Sequence, residues 1–237
     1  MALCHSYSLN HYLPAKRMVR NNKFRHQERS LKRRAASLVP KPRILVLCEG
    51  VVTEFQYLDE FRRVFGSPLV EVEIERAGAV PKTLVERAAK RKKDAAAKAQ
   101  REHDEFLKYD EIWCVFDVDD HPNLPDARQQ ARDNNIEVAI SNPCFEIWLL
   151  LHFSDHNAHI ERKQLAHLLK KYIPGYDKHI SFGTLQGGYS EAVARARRLE
   201  KQHEAAGPQN GNPSTNVHHL TEKIRGVGKA GAARPRK

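Results

Sequence analysis

Asp117 and Asp119 stand two residues apart at the end of an apolar run covering 112–116. If strand geometry continues through them, both carboxylates point to one face and Val118 points to the other. Two like charges so placed repel unless a cation or a proton lies between them. Hard oxygen donors of this kind favour Mg²⁺ or Mn²⁺, with water completing the shell. Such an ion suits phosphodiester chemistry, where it orients phosphate and stabilises the leaving oxygen. Glu49 ends a second apolar run, 44–48, and would add a third oxygen. Glu146 falls in the first turn of an expected helix. There it either complements the helix dipole or serves as a further ligand. His121 is read as a general acid/base, a phosphate donor or a surface residue, and Asp120 as an outer group around the metal. The catalytic set expected from these residues is Glu49, Asp117, Asp119, His121 and Glu146, with Glu49, Asp117 and Asp119 as the metal ligands.

The elements that must position these acids follow from periodicity. Residues 44–47 read as a buried strand, and Gly50 after it allows a tight turn or a close backbone approach. Thr53 is expected to cap a helix carrying Phe55, Leu58, Phe61, Val64 and Phe65 on one stripe. Residues 69–74 alternate apolar and acidic side chains, as a half-exposed edge strand would. Residues 82–107 read as one long helix. Residues 112–116 form a nearly continuous apolar strand, expected to be central in the sheet. A short helix over 126–134 and a strand over 136–140 follow. Asn142 as N-cap with Pro143 at the first helical position predicts a buried helix next. Three helical patterns come after residue 154: a stripe of Leu165, Leu168, Leu169 and Tyr172, a helix over 191–206, and a last helix with Val217, Leu220 and Ile224, capped by Ser214.

Strands alternating with helices predict an α/β fold with a mostly parallel sheet of about four strands and right-handed crossovers. The expected organisation is a basic flexible arm over 1–40, an α/β core over 41–153, a helical extension packed on it over 154–225, and a disordered basic tail over 226–237.

The formal net charge of +11 over 237 residues is unevenly spread. Residues 1–40 hold nine Lys/Arg against Glu28, and 221–237 hold six against Glu222, which leaves 25 basic and 27 acidic residues across 41–220. The basic excess lies in the tails, which can gain affinity for nucleic acid by releasing counterions or simply solubilise the chain. Lys90, Arg91, Lys92 and Lys93 make one helix segment basic all round, either a solvated face or a nucleic-acid-facing edge. No stretch approaches the roughly 18 apolar residues of a membrane span, and 1–13 lacks a continuous apolar segment of the secretory kind. The four cysteines (Cys4, Cys48, Cys114 and Cys144) contain no CxxC and read as free thiols of a reducing cytoplasm. The remaining histidines make no zinc spacing, with His218-His219 placed on a polar helix face. No GxxxxGK[ST] motif is present, which argues against ATP hydrolysis through a P-loop.

Three blocks carry a resemblance. Cys48-Glu49-Gly50 with Thr53, Glu54 and Tyr57 is the first, and Asp117-Val118-Asp119-Asp120-His121 the second. The third, Ser141-Asn142-Pro143-Cys144-Phe145-Glu146-Ile147-Trp148-Leu149-Leu150-Leu151-His152-Phe153, is the most specific. Together they resemble RloB-like proteins, as does Asn212-Pro213-Ser214-Thr215-Asn216-Val217-His218 further on. The resemblance covers roughly 41–225. It implies a Toprim-like fold, whose sites pair a glutamate after the first strand with a DxD after a later one, here Glu49, Asp117 and Asp119. It also implies a nuclease effector of a bacterial anti-phage defence system, held or triggered by an AAA/ABC-type ATPase.

The first functional expectation is therefore a Mg²⁺-dependent nuclease on DNA or RNA, tRNA included. The second is a non-catalytic module that binds nucleic acid or a partner through its tails. A phosphotransferase of the haloacid-dehalogenase type also uses a DxD, but places it after its first strand, and here the pair follows the third.

Overall fold

A computed structural model describes residues 41–118, 124–206 and 211–226. The expected basic arm, the tail beyond Gly226, Asp119, Asp120 and His121 lie outside the described residues.

The chain forms β1 (Arg43–Cys48), α1 (Thr53–Phe65), β2 (Glu71–Arg76), α2 (Pro81–Glu102), β3 (Glu111–Asp117), α3 (Leu124–Asp133) and β4 (Glu137–Asn142). It continues with α4 (Glu146–Leu150), α5 (Arg162–Leu169), α6 (Phe182–Gln186), α7 (Tyr189–Ala206), β5 (Ser214–Thr215) and α8 (Val217–Ile224). The sheet order is β2-β1-β3-β4-β5, and only β5 runs antiparallel. The fold is thus mixed α/β, with one strand more than the sequence suggests.

Strand alternation divides the core in two. Ile44, Val46 and Cys48 of β1, Trp113 and Val115 of β3, and Ala139 of β4 face α1 and the C-terminal helices. Leu45, Leu47, Ile112, Cys114, Phe116 and Ile140 face α2 and α3. This division follows from handedness. The β1-to-β2 connection moves one way across the sheet, while the connections to β3 and β4 move the other way. Right-handed crossovers then place α1 on one face and α2 and α3 on the other. The direction reverses between β1 and β3, so their carboxyl ends border the crevice where an open α/β sheet takes its ligands.

Around α1 the packing is aromatic. Tyr57 meets Phe145, Trp148 and Phe182 edge to face, with centroids 5.6, 6.2 and 5.5 Å away. The buried side of α1 runs through Thr53, Glu54, Tyr57, Leu58 and Phe61. The expected stripe is therefore turned by about one residue. Val64 is 48% exposed, and Phe55 packs under the Arg76 guanidinium, 4.0 Å from its centroid. Thr53 is the first helical residue and not the cap, and its hydroxyl donates to the Lys178 carbonyl at 3.0 Å.

Three other boundaries differ from expectation. The helix α2 stops at Glu102 because His103 takes a left-handed conformation, φ 51°. The Asp104 carboxylate then accepts the Phe106 amide and caps a separate short turn. Asn142 does not cap a helix. It is the last residue of β4, its peptide to Pro143 is cis, and α4 begins at Glu146. The cause is β5, which pairs Ser141 with Thr215 and Asn142 with Ser214 and so extends the strand. Ser214 is accordingly a strand residue and not a cap.

Two asparagines fasten this C-terminal return. Asn216 accepts the Ile140 amide at 2.6 Å and donates to the Val138 carbonyl at 3.0 Å, doing the work of a strand residue with its side chain. Asn212 does the same for Ile160, accepting its amide and donating to its carbonyl, both at 3.0 Å. Among the described residues no helix is long and apolar enough to cross a membrane.

Candidate active site

β1 and β3 are hydrogen-bonded neighbours, with Cys48 in register with Val115. Pairing continues one residue past β1, because the Glu49 amide donates to the Val115 carbonyl at 2.9 Å. This fixes the backbone from which the Glu49 carboxylate reaches the end of β3. There it accepts the Asp117 amide at 3.3 Å. Val118 in turn donates to the Ser141 carbonyl of β4 at 2.9 Å, so three strand ends are laced together where the acids emerge. The side chain of Asp117 is only 13% exposed, and its Oδ2 accepts from the Arg162 guanidinium of α5 at 2.9 Å.

Glu54 joins this group. It is buried in the first turn of α1, 8% exposed, and its carboxylate lies over the Gly50 backbone where any Cβ would collide with it. The glycine is therefore needed for close approach. Burial pushes the Glu54 carboxyl above its ordinary range, and the negative charges of Glu146 and Glu49 push it further. Lys178 and an amide hydrogen bond pull the other way. Glu146, at the start of α4, accepts the Tyr176 hydroxyl at 2.9 Å. Burial first, and Glu146 second, raise both the Tyr176 phenol and the Cys144 thiol far above their usual ranges. Cys48, Cys114 and Cys144 are buried free thiols, and burial alone moves Cys114 up to about 12.

The segment that brings Tyr176 and Lys178 to the acids is clamped on α1. Gln56 donates to the Ile180 carbonyl at 2.7 Å and accepts its amide at 3.4 Å. Together with Thr53 on the Lys178 carbonyl, these bonds draw the C-terminal third over the sheet edge.

Three of the residues expected from sequence, Glu49, Asp117 and Glu146, thus stand at this edge. Glu54, Arg162, Tyr176 and Lys178 belong with them and were not expected there. Only Glu54 carries a sequence signal, an acid five residues after Glu49 with a glycine between. Of the basic helix segment, Lys90 and Lys93 are exposed. Arg91 is engaged with Glu73 and Glu75 of β2, each at 2.5 Å. Lys92 donates to the Asn134 and Asn135 carbonyls at 2.6 and 3.1 Å. Those two therefore hold α2 to its neighbours. His218, expected on a polar face, is fully buried, because α8 packs against β4, α1 and α7 at once.

The fold and this edge define an α/β protein with clustered carboxylates at the carboxyl ends of adjacent parallel strands. The model of the RloB-like protein family matches residues 44–224, and the chain belongs to that family. No significant match was found among curated proteins or among solved structures.

Proposed function

We propose that the chain is a metal-dependent nuclease with a Toprim-like site. The observation that carries this reading is the convergence of Glu49, Asp117, Glu54 and Glu146 at the ends of β1, β3 and β4 and the adjoining helix starts. The donor set is all oxygen and partly buried, and burial first, with the charges of Glu146 and Glu49 after it, lifts the Glu54 carboxyl. That chemistry fits a hard divalent cation, Mg²⁺ or Mn²⁺. Glu49 and Asp117 would hold it, with Asp119 as the third ligand of the motif and Glu146 beside them. When bound, such an ion supplies Lewis-acid polarisation of a phosphodiester.

The rest follows from the chain's own groups. The strand amides hold Glu49 and Asp117 in place before any substrate arrives, so little reorganisation is needed. Glu54, whose burial raises its affinity for a proton, is placed to give or take one at this edge. Arg162, paired with Asp117, and Lys178, whose charge acts on Glu54, would meet phosphate oxygens. His121 would assist as an acid/base. The basic arm, with Lys90 and Lys93, would add contacts to the nucleic-acid backbone, Arg91 and Lys92 contributing charge from their internal pairs.

The family resemblance extends this reading to a cytoplasmic effector of anti-phage defence working beside an AAA/ABC-type ATPase. A second reading is favoured by the Asp117–Arg162 ion pair: a guanidinium already neutralises the central aspartate, as it would in a module that binds without cleaving. Purified protein with Mg²⁺ or Mn²⁺ on DNA, RNA and tRNA separates the two. Cleavage that disappears in Asp117→Ala supports the nuclease. Binding without cleavage, or equal cleavage by that variant, overturns it.

A further inference from the structure

Where α7 and α8 pack together, Glu200 of α7 and the adjacent His218 and His219 of α8 bring three metal-ligating atoms within 4.8 Å of one another. One carboxylate serves both imidazoles: Oε1 lies 2.9 Å from His219 Nε2, and Oε2 lies 3.4 Å from His218 Nε2. The two rings sit 4.0 Å apart between centroids.

Three features separate this cluster from an ordinary surface ion pair. His218 is fully buried, yet among the described residues neither of its ring nitrogens makes a hydrogen bond. Buried polar groups are rarely left so. Both imidazoles turn the same nitrogen, Nε2, toward one carboxylate. Finally, ligand atoms held at about 2.0–2.1 Å around a tetrahedral zinc lie about 3.4 Å apart, close to the 2.9 and 3.4 Å between the carboxylate oxygens and the two Nε2 atoms. His219 is exposed on the open side, which leaves room for a water as fourth ligand. Arg197 and Glu222, paired at 2.5 Å, join the same two helices alongside.

We propose that Glu200, His218 and His219 form a site for a zinc-class divalent transition metal that clamps α8 onto α7. Two imidazoles and one carboxylate select such an ion over magnesium, whereas the oxygen-only cluster at the sheet edge has the opposite preference. The clamp does not depend on the nuclease reading.

Cobalt is the probe. The full chain, stripped with chelator, is titrated with Co²⁺ and followed by its visible d–d absorption. The proposal expects intense low-coordinate bands that saturate at one equivalent, that Zn²⁺ abolishes and that excess Mg²⁺ leaves unchanged. Asp117→Asn should retain them. His219→Asn and Glu200→Gln should weaken Co²⁺ binding by at least about 10-fold, the lower bound for losing even an outer partner of a metal ligand. His219 is exposed, so its variant should fold, and circular dichroism verifies that. Zn²⁺ should also raise the melting temperature of the wild type and not of His219→Asn. The proposal is overturned if the wild type shows no saturable bands, if both variants bind as the wild type does, or if Zn²⁺ leaves the melting temperature unmoved.

Discussion

Glu49 and Asp117 are joined through the backbone: the Asp117 amide donates to the Glu49 carboxylate at 3.3 Å. The glutamate is therefore aimed by the end of the neighbouring strand. Glu49→Gln keeps a hydrogen-bond acceptor there and removes the charge. It should leave the fold intact and lower Mg²⁺-dependent cleavage by at least about 100-fold, roughly 2.7 kcal/mol of transition-state stabilisation. Single-turnover cleavage beside a melting curve checks both halves. Near wild-type cleavage would remove Glu49 from the site.

Gly50→Ala tests the approach of Glu54. A Cβ at Gly50 meets the Glu54 carboxylate, which must swing away. Because the obstacle is the end of a side chain, the expected cost falls on chemistry more than on stability. Cleavage should drop by about 10-fold or more, near 1.4 kcal/mol, while the urea midpoint stays close to that of the wild type. An unchanged rate would show that Glu54 contributes packing alone.

Arg162 holds Asp117 with a full positive charge at 2.9 Å. Removing that charge from a cluster of carboxylates should strengthen attraction for a divalent cation. Arg162→Gln should therefore lower the Mg²⁺ concentration giving half-maximal activity, by about 3–10-fold for a coupling near 1 kcal/mol between partly exposed groups. A higher requirement would mean that the guanidinium orients Asp117 and does not compete with the metal.

His152 gives a stability signature with a definite sign. It is 5% exposed and lies between the Trp148 carbonyl at 2.9 Å and the Tyr57 hydroxyl at 3.1 Å. The carbonyl can only accept, so Nδ1 carries the proton, Nε2 is bare and Tyr57 donates to it. Burial lowers the His152 pKa to about 4. The unfolded chain, with an ordinary histidine near 6.5, takes up the proton first as pH falls. Stability should be complete at neutral pH and decline from about pH 6.5 down to about pH 4, by roughly 2 kcal/mol at pH 5. Urea midpoints across that window should show the slope, and His152→Gln should lessen it, leaving the part due to His218, whose pKa burial likewise lowers to about 4. Parallel slopes in the two proteins would assign the loss to other groups.

Asn216 replaces a strand with a side chain, so Asn216→Ala strands one amide and one carbonyl of β4. Its cost should be about 2 kcal/mol, read from urea unfolding. A loss below about 0.5 kcal/mol would mean that water takes over both bonds.

The sheet was legible in the sequence where short apolar runs end on acids, at Glu49 and at Asp117. Those two residues, with Glu146 at its helix start, were also the legible part of the site. That their strands are neighbours was not, because patterning reveals strands without their order. Glu54 was hidden by its position, since an acid in a first helical turn has a sufficient local explanation. Arg162, Tyr176 and Lys178 come from segments with no pattern of their own, and only tertiary packing brings them to the edge. β5 escaped notice because two residues cannot display a period. The same strand undid the Asn142-Pro143 helix start, whose residues are good capping chemistry in isolation. His218 was misplaced because one apolar stripe, Val217, Leu220 and Ile224, implies one buried face, whereas α8 is enclosed on several.

The pairing of Ser141 with Thr215 spans 74 residues of chain. A ribosome adds about 5–20 residues per second, so roughly 4–15 s separate the synthesis of these partners. During that interval β4 has an open edge, and the turn leading to Glu146 lacks the strand that shapes it. The segments carrying Arg162, Tyr176 and Lys178 also emerge late, after the acids they contact. A nascent chain therefore holds its carboxylates without their arrangement, and the acid edge matures only once β5 has been made.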